Sequence, residues 1–179
     1  MDQEIEKISK KLMKELDEDR YRHTQGVMYT SAALAMRYGA DLKKALLAGL
    51  LHDCAKCIPG HTKIKMCEKY NLEISEIERK NPSLLHAKLG AYLAKDKYDI
   101  EDEEILMAIR SHTTGRPGMS LFGCLINWHV LRFQIHQGIS QNTIQTLINI
   151  FKCQMSHIHH IGQLFAPRLH IICNIYNLF

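Results

Sequence analysis

His52 and Asp53 stand side by side at the end of an apolar run, Ala48-Gly49-Leu50-Leu51, where a buried helix should stay apolar. On a helix, neighbouring side chains point about 100° apart, so the two groups bracket one small ion from adjacent sides. A neutral imidazole with a carboxylate suits zinc, manganese or iron. An unpaired carboxylate among leucines is costly, so Asp53 requires a cation or a full set of donors. Taken alone, the pair also fits a capped helix end with Asp53 bonded to the following turn. The rest of the chain favours the metal.

Three more histidines repeat the pattern. His23 lies one turn before Val27, on the helix face assigned to Val27, Leu34 and Ala35. His86 sits amid Leu85, Ala87, Leu89 and Ala91, and His112 closes the apolar segment ending at Ser111. One such histidine is an ordinary core residue; several with an adjacent Asp in one small domain point to a metal centre. Cations lie close in sequence: Arg20 before His23, Lys56 after Asp53, Arg110 and Arg116 on either side of His112. Beside a metal they would neutralise phosphate oxygens; the competing reading is a surface charge, expected for at least one of them. His61, in the Pro59-Gly60 loop, is expected in solvent, and the cluster His157, His159, His160 is given no metal role. Cys54 and Cys57 form a Cys-x-x-Cys with no second pair and no preceding strand, so a working thiol pair is not expected.

The elements that must position these groups read as helices. Ile5, Ile8, Leu12 and Leu16 recur at helical spacing over residues 3–16. After a break at Asp17 to Asp19, a second helix runs from about residue 20 to Tyr38 and stops at Gly39. Asp41 caps a third, ending at His52-Asp53. Short helices follow over residues 62–70 and 74–80, then Asn81-Pro82 breaks the chain and Ser83 caps a helix over residues 84–98. A last one, about residues 102–111, leads into the turn-rich stretch from Thr113 to Gly118. No period-2 strand interrupts them, so the expected fold class is all-α, a compact helical bundle.

Composition narrows the function. The chain has 179 residues, 46% hydrophobic and 23% charged, which suits one soluble domain. A net charge of +4 is too mild for nucleic-acid binding. No apolar run reaches the ~18 residues of a membrane span, and the charged opening stretch does not read as a secretory leader. The expectation is a cytoplasmic protein with its six cysteines reduced.

Four stretches, in order, carry a resemblance. They are Arg20-Tyr21-Arg22-His23-Thr24-Gln25-Gly26-Val27, His52-Asp53-Cys54-Ala55-Lys56, Leu85-His86-Ala87-Lys88-Leu89-Gly90-Ala91 and Ile109-Arg110-Ser111-His112-Thr113-Thr114-Gly115-Arg116-Pro117-Gly118-Met119. Together they resemble the HD superfamily of metal-dependent phosphohydrolases, and within it the bacterial YqeK family of symmetrical diadenosine tetraphosphate hydrolases. The resemblance covers residues 1 to about 120. It implies an HD-domain bundle that cuts diadenosine tetraphosphate into two ADP by attack of a metal-activated water. It further implies iron on His23, His52 and Asp53, catalytic roles for His52, Asp53 and Lys56, and substrate binding by Arg20, His23, Lys56, His86, His112 and Thr113. His86 and His112 could instead hold a second metal, and a homodimer is compatible with it. Two rival readings stay open: a nucleotide-binding or regulatory protein with an incomplete metal site, and an HD phosphatase or phosphodiesterase for another nucleotide.

The resemblance stops near residue 120. Family members continue with an Ala-Asp-Tyr-Ile-Glu-Pro-like motif whose Asp completes the iron ligands, yet no Asp or Glu follows Glu104 here. Residues 1–120 are therefore read as the hydrolase domain. Residues 121–179 are read as an atypical segment of the same domain, frame-shifted or diverged, expected to be irregular or weakly docked. Activity below that of relatives is the corresponding expectation.

Overall fold

The computed structural model describes residues 2–116, 118–120 and 122–127. In α1 (Gln3–Glu15) the Asp2 side chain accepts from the Glu4 amide, and Ile5, Ile8 and Leu12 are buried. α2 (Glu18–Tyr38) begins where Asp17 accepts from the Arg20 amide and ends at Gly39, whose φ of 70° favours a residue without a Cβ. Asp41 caps α3 (Leu42–Leu51) in the same way, through the Lys44 amide. α4 (Gly60–Lys69) starts after Pro59, and α5 (Glu76–Lys80) opens with a reciprocal Ser75–Glu78 capping box. A 3-10 turn, Pro82–Leu84, leads into α6 (Leu85–Tyr98), and Asp102 caps α7 (Glu103–Ser111). No strand occurs among the described residues, and the fold is all-α.

α2 and α3 approach so closely that a Cβ on Gly49 would lie 2.7 Å from the Met28 Cα. That contact brings the helix carrying His23 against the helix ending at His52. Around it, Leu12, Leu50, Leu51, Leu85, Leu89 and Ile109 form the centre of one core. Polar ties fix the rim: Tyr98 Oη and Lys97 Nζ both donate to Glu15, at 2.8 and 2.6 Å, joining α6 to α1. Lys44 pairs with Asp102 and Glu104 at 2.9 and 3.0 Å, joining α3 to the start of α7.

Three expectations need correction. Ser83 does not cap α6 with its side chain; it lies inside the 3-10 turn, and its backbone carbonyl accepts from His86. Leu34 is half-buried, because the tight seam against α3 turns Val27, Met28, Ser31, Ala32 and Ala35 inward instead. Residues 122–127, expected to be irregular, are helical, with Phe122 and Ile126 in the core. Met119, Phe122 and Ile126 recur at spacings of three and four, enough apolar period for one packed helical segment. The same stretch does carry the polar strain expected of it: Asn127 is fully buried, its Nδ2 donates to the Gly123 carbonyl, and its Oδ1 has no partner. The remaining part of the tail reading, including the cluster His157, His159, His160, lies outside the described residues.

Candidate metal centre

Asp53 sits just past the end of α3, buried, with one carboxylate oxygen facing each of two groups of histidines. Its Oδ2 lies 3.5 Å from His52 Nε2 and 3.8 Å from His23 Nε2. Its Oδ1 lies 3.3 Å from His86 Nε2 and 3.5 Å from His112 Nε2. Within each group the donor atoms all lie within 4.8 Å of one another. His52 and His112 are the C-caps of α3 and α7, where the helix dipole is negative and favours a cation.

The backbone sets which nitrogen faces inward. His52 Nδ1 meets the Gly49 carbonyl at 2.8 Å, His86 Nδ1 the Ser83 carbonyl at 2.6 Å, and His112 Nδ1 the Ile109 carbonyl at 2.7 Å. A carbonyl only accepts, so each Nδ1 carries the proton and a neutral ring presents a lone pair at Nε2. Burial pushes the His86 pKa down to about 3, with the neighbouring His112 adding to it, and burial lowers that of His112 as well. Both rings are therefore neutral at physiological pH. Their Nε2 atoms nevertheless stand 3.2 Å apart, and His52 Nε2 stands 3.3 Å from His23 Nε2.

Lone pairs thus converge on Asp53, whose Oδ1 is buried without a hydrogen-bond partner. Burial alone would raise the Asp53 pKa, but the charges and polar groups packed around it hold it well below the usual carboxylate range. Arg20 satisfies Oδ2 alone; a buried Oδ1 facing two imidazole lone pairs calls for a cation, and the donor set, imidazole nitrogens plus a carboxylate, is that of a divalent transition metal. The residues fit such an ion.

Two side chains add positive charge. Arg20 Nη1 donates to Asp53 Oδ2 at 2.8 Å, and Lys56 Nζ lies 3.4 Å from His86 Nε2. Burial lowers the Lys56 pKa. Seven of the eight residues singled out for the site, Arg20, His23, His52, Asp53, Lys56, His86 and His112, therefore lie in this one cluster. The eighth, Thr113, follows His112 in the turn after α7 and is half-buried. Arg110 is exposed, so its charge serves the surface, and Arg116 lines a separate cavity of about 400 Å³ against Met107 and Met119. His61 is exposed, as expected. Cys54 is buried and donates to the Gly90 carbonyl, while Cys57 is exposed and donates to Asp17, so the two thiols are not partners.

Residues 20–150 match the family model of the HD domain. The chain belongs to the HD domain family. The symmetrical bis(5'-nucleosyl)-tetraphosphatase of Bacillus subtilis (strain 168) is 46% identical over 107 residues, 60% of this chain and 57% of that protein. The symmetrical bis(5'-nucleosyl)-tetraphosphatase of Halalkalibacterium halodurans is 46% identical over 111 residues, 62% of this chain and 59% of that one. The chain thus spans less than two thirds of the length of these relatives. A crystal structure of a predicted HD superfamily hydrolase involved in NAD metabolism, from Clostridium acetobutylicum, superposes with a TM-score of 0.69 at 34% identity. The match covers 82% of this chain and 96% of that one.

In this HD domain the groups that sequence reasoning missed are backbone atoms. The carbonyls of Gly49, Ser83 and Ile109 each orient the histidine three residues later. One signal for them was present at two positions: a histidine closing a helix meets the helix's last carbonyls, which lack the regular amide partner four residues on.

Proposed function

We propose that this HD domain hydrolyses diadenosine tetraphosphate symmetrically to two ADP, using a divalent metal, iron by family resemblance, held by His23, His52 and Asp53. The observation that carries the reading is the double engagement of Asp53, one oxygen toward His23 and His52 and the other toward His86 and His112, with Arg20 and Lys56 at the edge. The names of the relatives supply the substrate class. A bound dication supplies Lewis-acid polarisation of a phosphoryl oxygen and a lowered pKa for water. Arg20 and Lys56 offer charge to a polyphosphate and to the charge that spreads over its oxygens during cleavage. His86 and His112, kept neutral by burial, present Nε2 lone pairs that can take a second metal with Asp53; in the alternative role, binding phosphate oxygens beside Thr113, Nε2 must first take up a proton.

The experiment is metal analysis of the purified protein beside chromatography of the products of diadenosine tetraphosphate. Bound metal and ADP as sole product support the reading; AMP plus ATP, or no turnover with metal bound, sinks it. One observation favours a second reading, a nucleotide-binding protein with an incomplete metal site: no Asp or Glu follows Glu104 to supply a further carboxylate. Tight nucleotide binding without hydrolysis would select it.

A further inference from the structure

The segment after α3 turns by short backbone bonds, each amide reaching back three residues. Cys54 N donates to Leu51 O at 3.1 Å, Lys56 N to Asp53 O at 2.9 Å, and Ile58 N to Ala55 O at 3.4 Å. The next amide in that pattern would serve the Lys56 carbonyl, but residue 59 is proline and has no N–H. A different donor takes its place. Lys63, one turn into α4, is only 4% exposed, and its Nζ donates to the Lys56 carbonyl at 3.1 Å. Side chains on a helix lean toward its N-terminus, which aims Lys63 back over Pro59 at this carbonyl.

Lysine is among the side chains least often buried, and burial lowers the Lys63 pKa, with the charge of Lys56 adding to the effect. An apolar residue would fill the same volume without that cost. A buried ammonium at this spot therefore calls for a reason other than packing. What it grips is the backbone of the residue whose own Nζ reaches His86.

We infer that Lys63 is a positioning residue: by taking up the carbonyl that Pro59 leaves without an amide, it fixes the backbone of Lys56 and aims that side chain at the phosphates of the substrate. The inference rests on the reading of Lys56 as a phosphate-binding cation. Lys63 itself is assigned no contact with substrate.

The test is Lys63→Met, which keeps the volume and removes the donor, made alone and with Lys56→Ala. In the unliganded protein, amide exchange at residues 54, 56 and 58 should accelerate in Lys63→Met while α7 keeps its protection. Metal content should stay at the parent level, and kcat/KM on diadenosine tetraphosphate should fall on the order of tenfold. In the Lys56→Ala background the second substitution should cost nothing more, because a positioning residue has nothing left to position. Unchanged exchange at residues 54–58, or a full further loss in the double variant, overturns the inference. If the parent protein turns over no diadenosine tetraphosphate, the proposed function falls, and ADP affinity across the same variants, read with the exchange data, decides the case for Lys63.

Discussion

Arg20, in the first turn of α2, and Asp53, just past the end of α3, meet at 2.8 Å, Nη1 to Oδ2, though 33 positions apart in sequence. The guanidinium takes one side of the carboxylate, and Oδ1 stays turned toward His86 and His112. Asp53 is thus the one residue common to both candidate metal groups. Its charge is held by its surroundings, with its pKa well below the usual range despite burial.

That sharing ranks the ligands. Asp53→Ala removes a member from both groups and should abolish metal retention through purification. His86→Ala removes a member from one and should leave metal with His23, His52 and Asp53. Metal content by atomic emission after desalting checks the order, and equal losses in the two variants would contradict it.

Lys56→Ala should leave the metal in place and weaken handling of substrate. The expected loss in kcat/KM is on the order of 10- to 100-fold, carried by KM, kcat or both. Steady-state kinetics beside a metal assay separates this from ligand loss.

Acid should destabilise the metal-free protein in a defined window. The His86 pKa lies at about 3 in the folded chain against an ordinary 6.5. Between those values the unfolded chain binds a proton that the folded chain refuses, so stability is full above the ordinary value and declines as pH falls toward the folded one. His112, also lowered, acts in the same sense. Asp53 keeps its stabilising charge across this window, because its folded pKa lies below the ordinary carboxylate value. Thermal melts in chelator from about pH 7 to about pH 4 should show a falling Tm. His86→Gln should flatten that slope.

Gly49→Ala tests the seam beneath the site. The added Cβ would meet backbone of Met28 at 2.7 Å, and backbone cannot swing aside as a side-chain tip can. α2 must then lift from α3, at a cost of about 1–3 kcal/mol, and His23 moves away from His52 with it. Lower Tm together with weaker metal binding is expected; a lower Tm with unchanged metal affinity would mean that the seam does not set the site.

Much of this was legible in the sequence, for reasons that particular residues show. Asp17, Asp41 and Asp102 announce their helices because a short acidic side chain has one effective way to satisfy free amides. Ile5, Ile8 and Leu12 betray their buried face by period alone. The histidines stood out because polar rings on apolar faces have few stable explanations. Ser83 was misread because its carbonyl, not its hydroxyl, is the working group, and side-chain identity says nothing about carbonyl direction. Lys63 gave no signal in the sequence, since its burial depends on how α4 folds back on the turn after Asp53. The helix over residues 122–127 was missed because the lack of charge in the tail drew more weight than the local spacing of Met119, Phe122 and Ile126.

The absence of acidic residues after Glu104 also has a consequence. The resemblance implies a further ligand Asp that no residue after Glu104 supplies here, and on that reading metal binding should be weaker by at least the 10–100-fold typical of damage around a metal site. Replacing residues 121–179 with a family-type segment bearing the Ala-Asp-Tyr motif should raise metal occupancy and turnover together. A rise in neither would show that the missing carboxylate is not what limits this chain.

The most direct measurement is product analysis of diadenosine tetraphosphate incubated with the metal-loaded protein, run beside Asp53→Asn. The account predicts ADP as the sole nucleotide product from the parent protein and no detectable ADP from the variant. AMP with ATP from the parent, or undiminished ADP from Asp53→Asn, would contradict it.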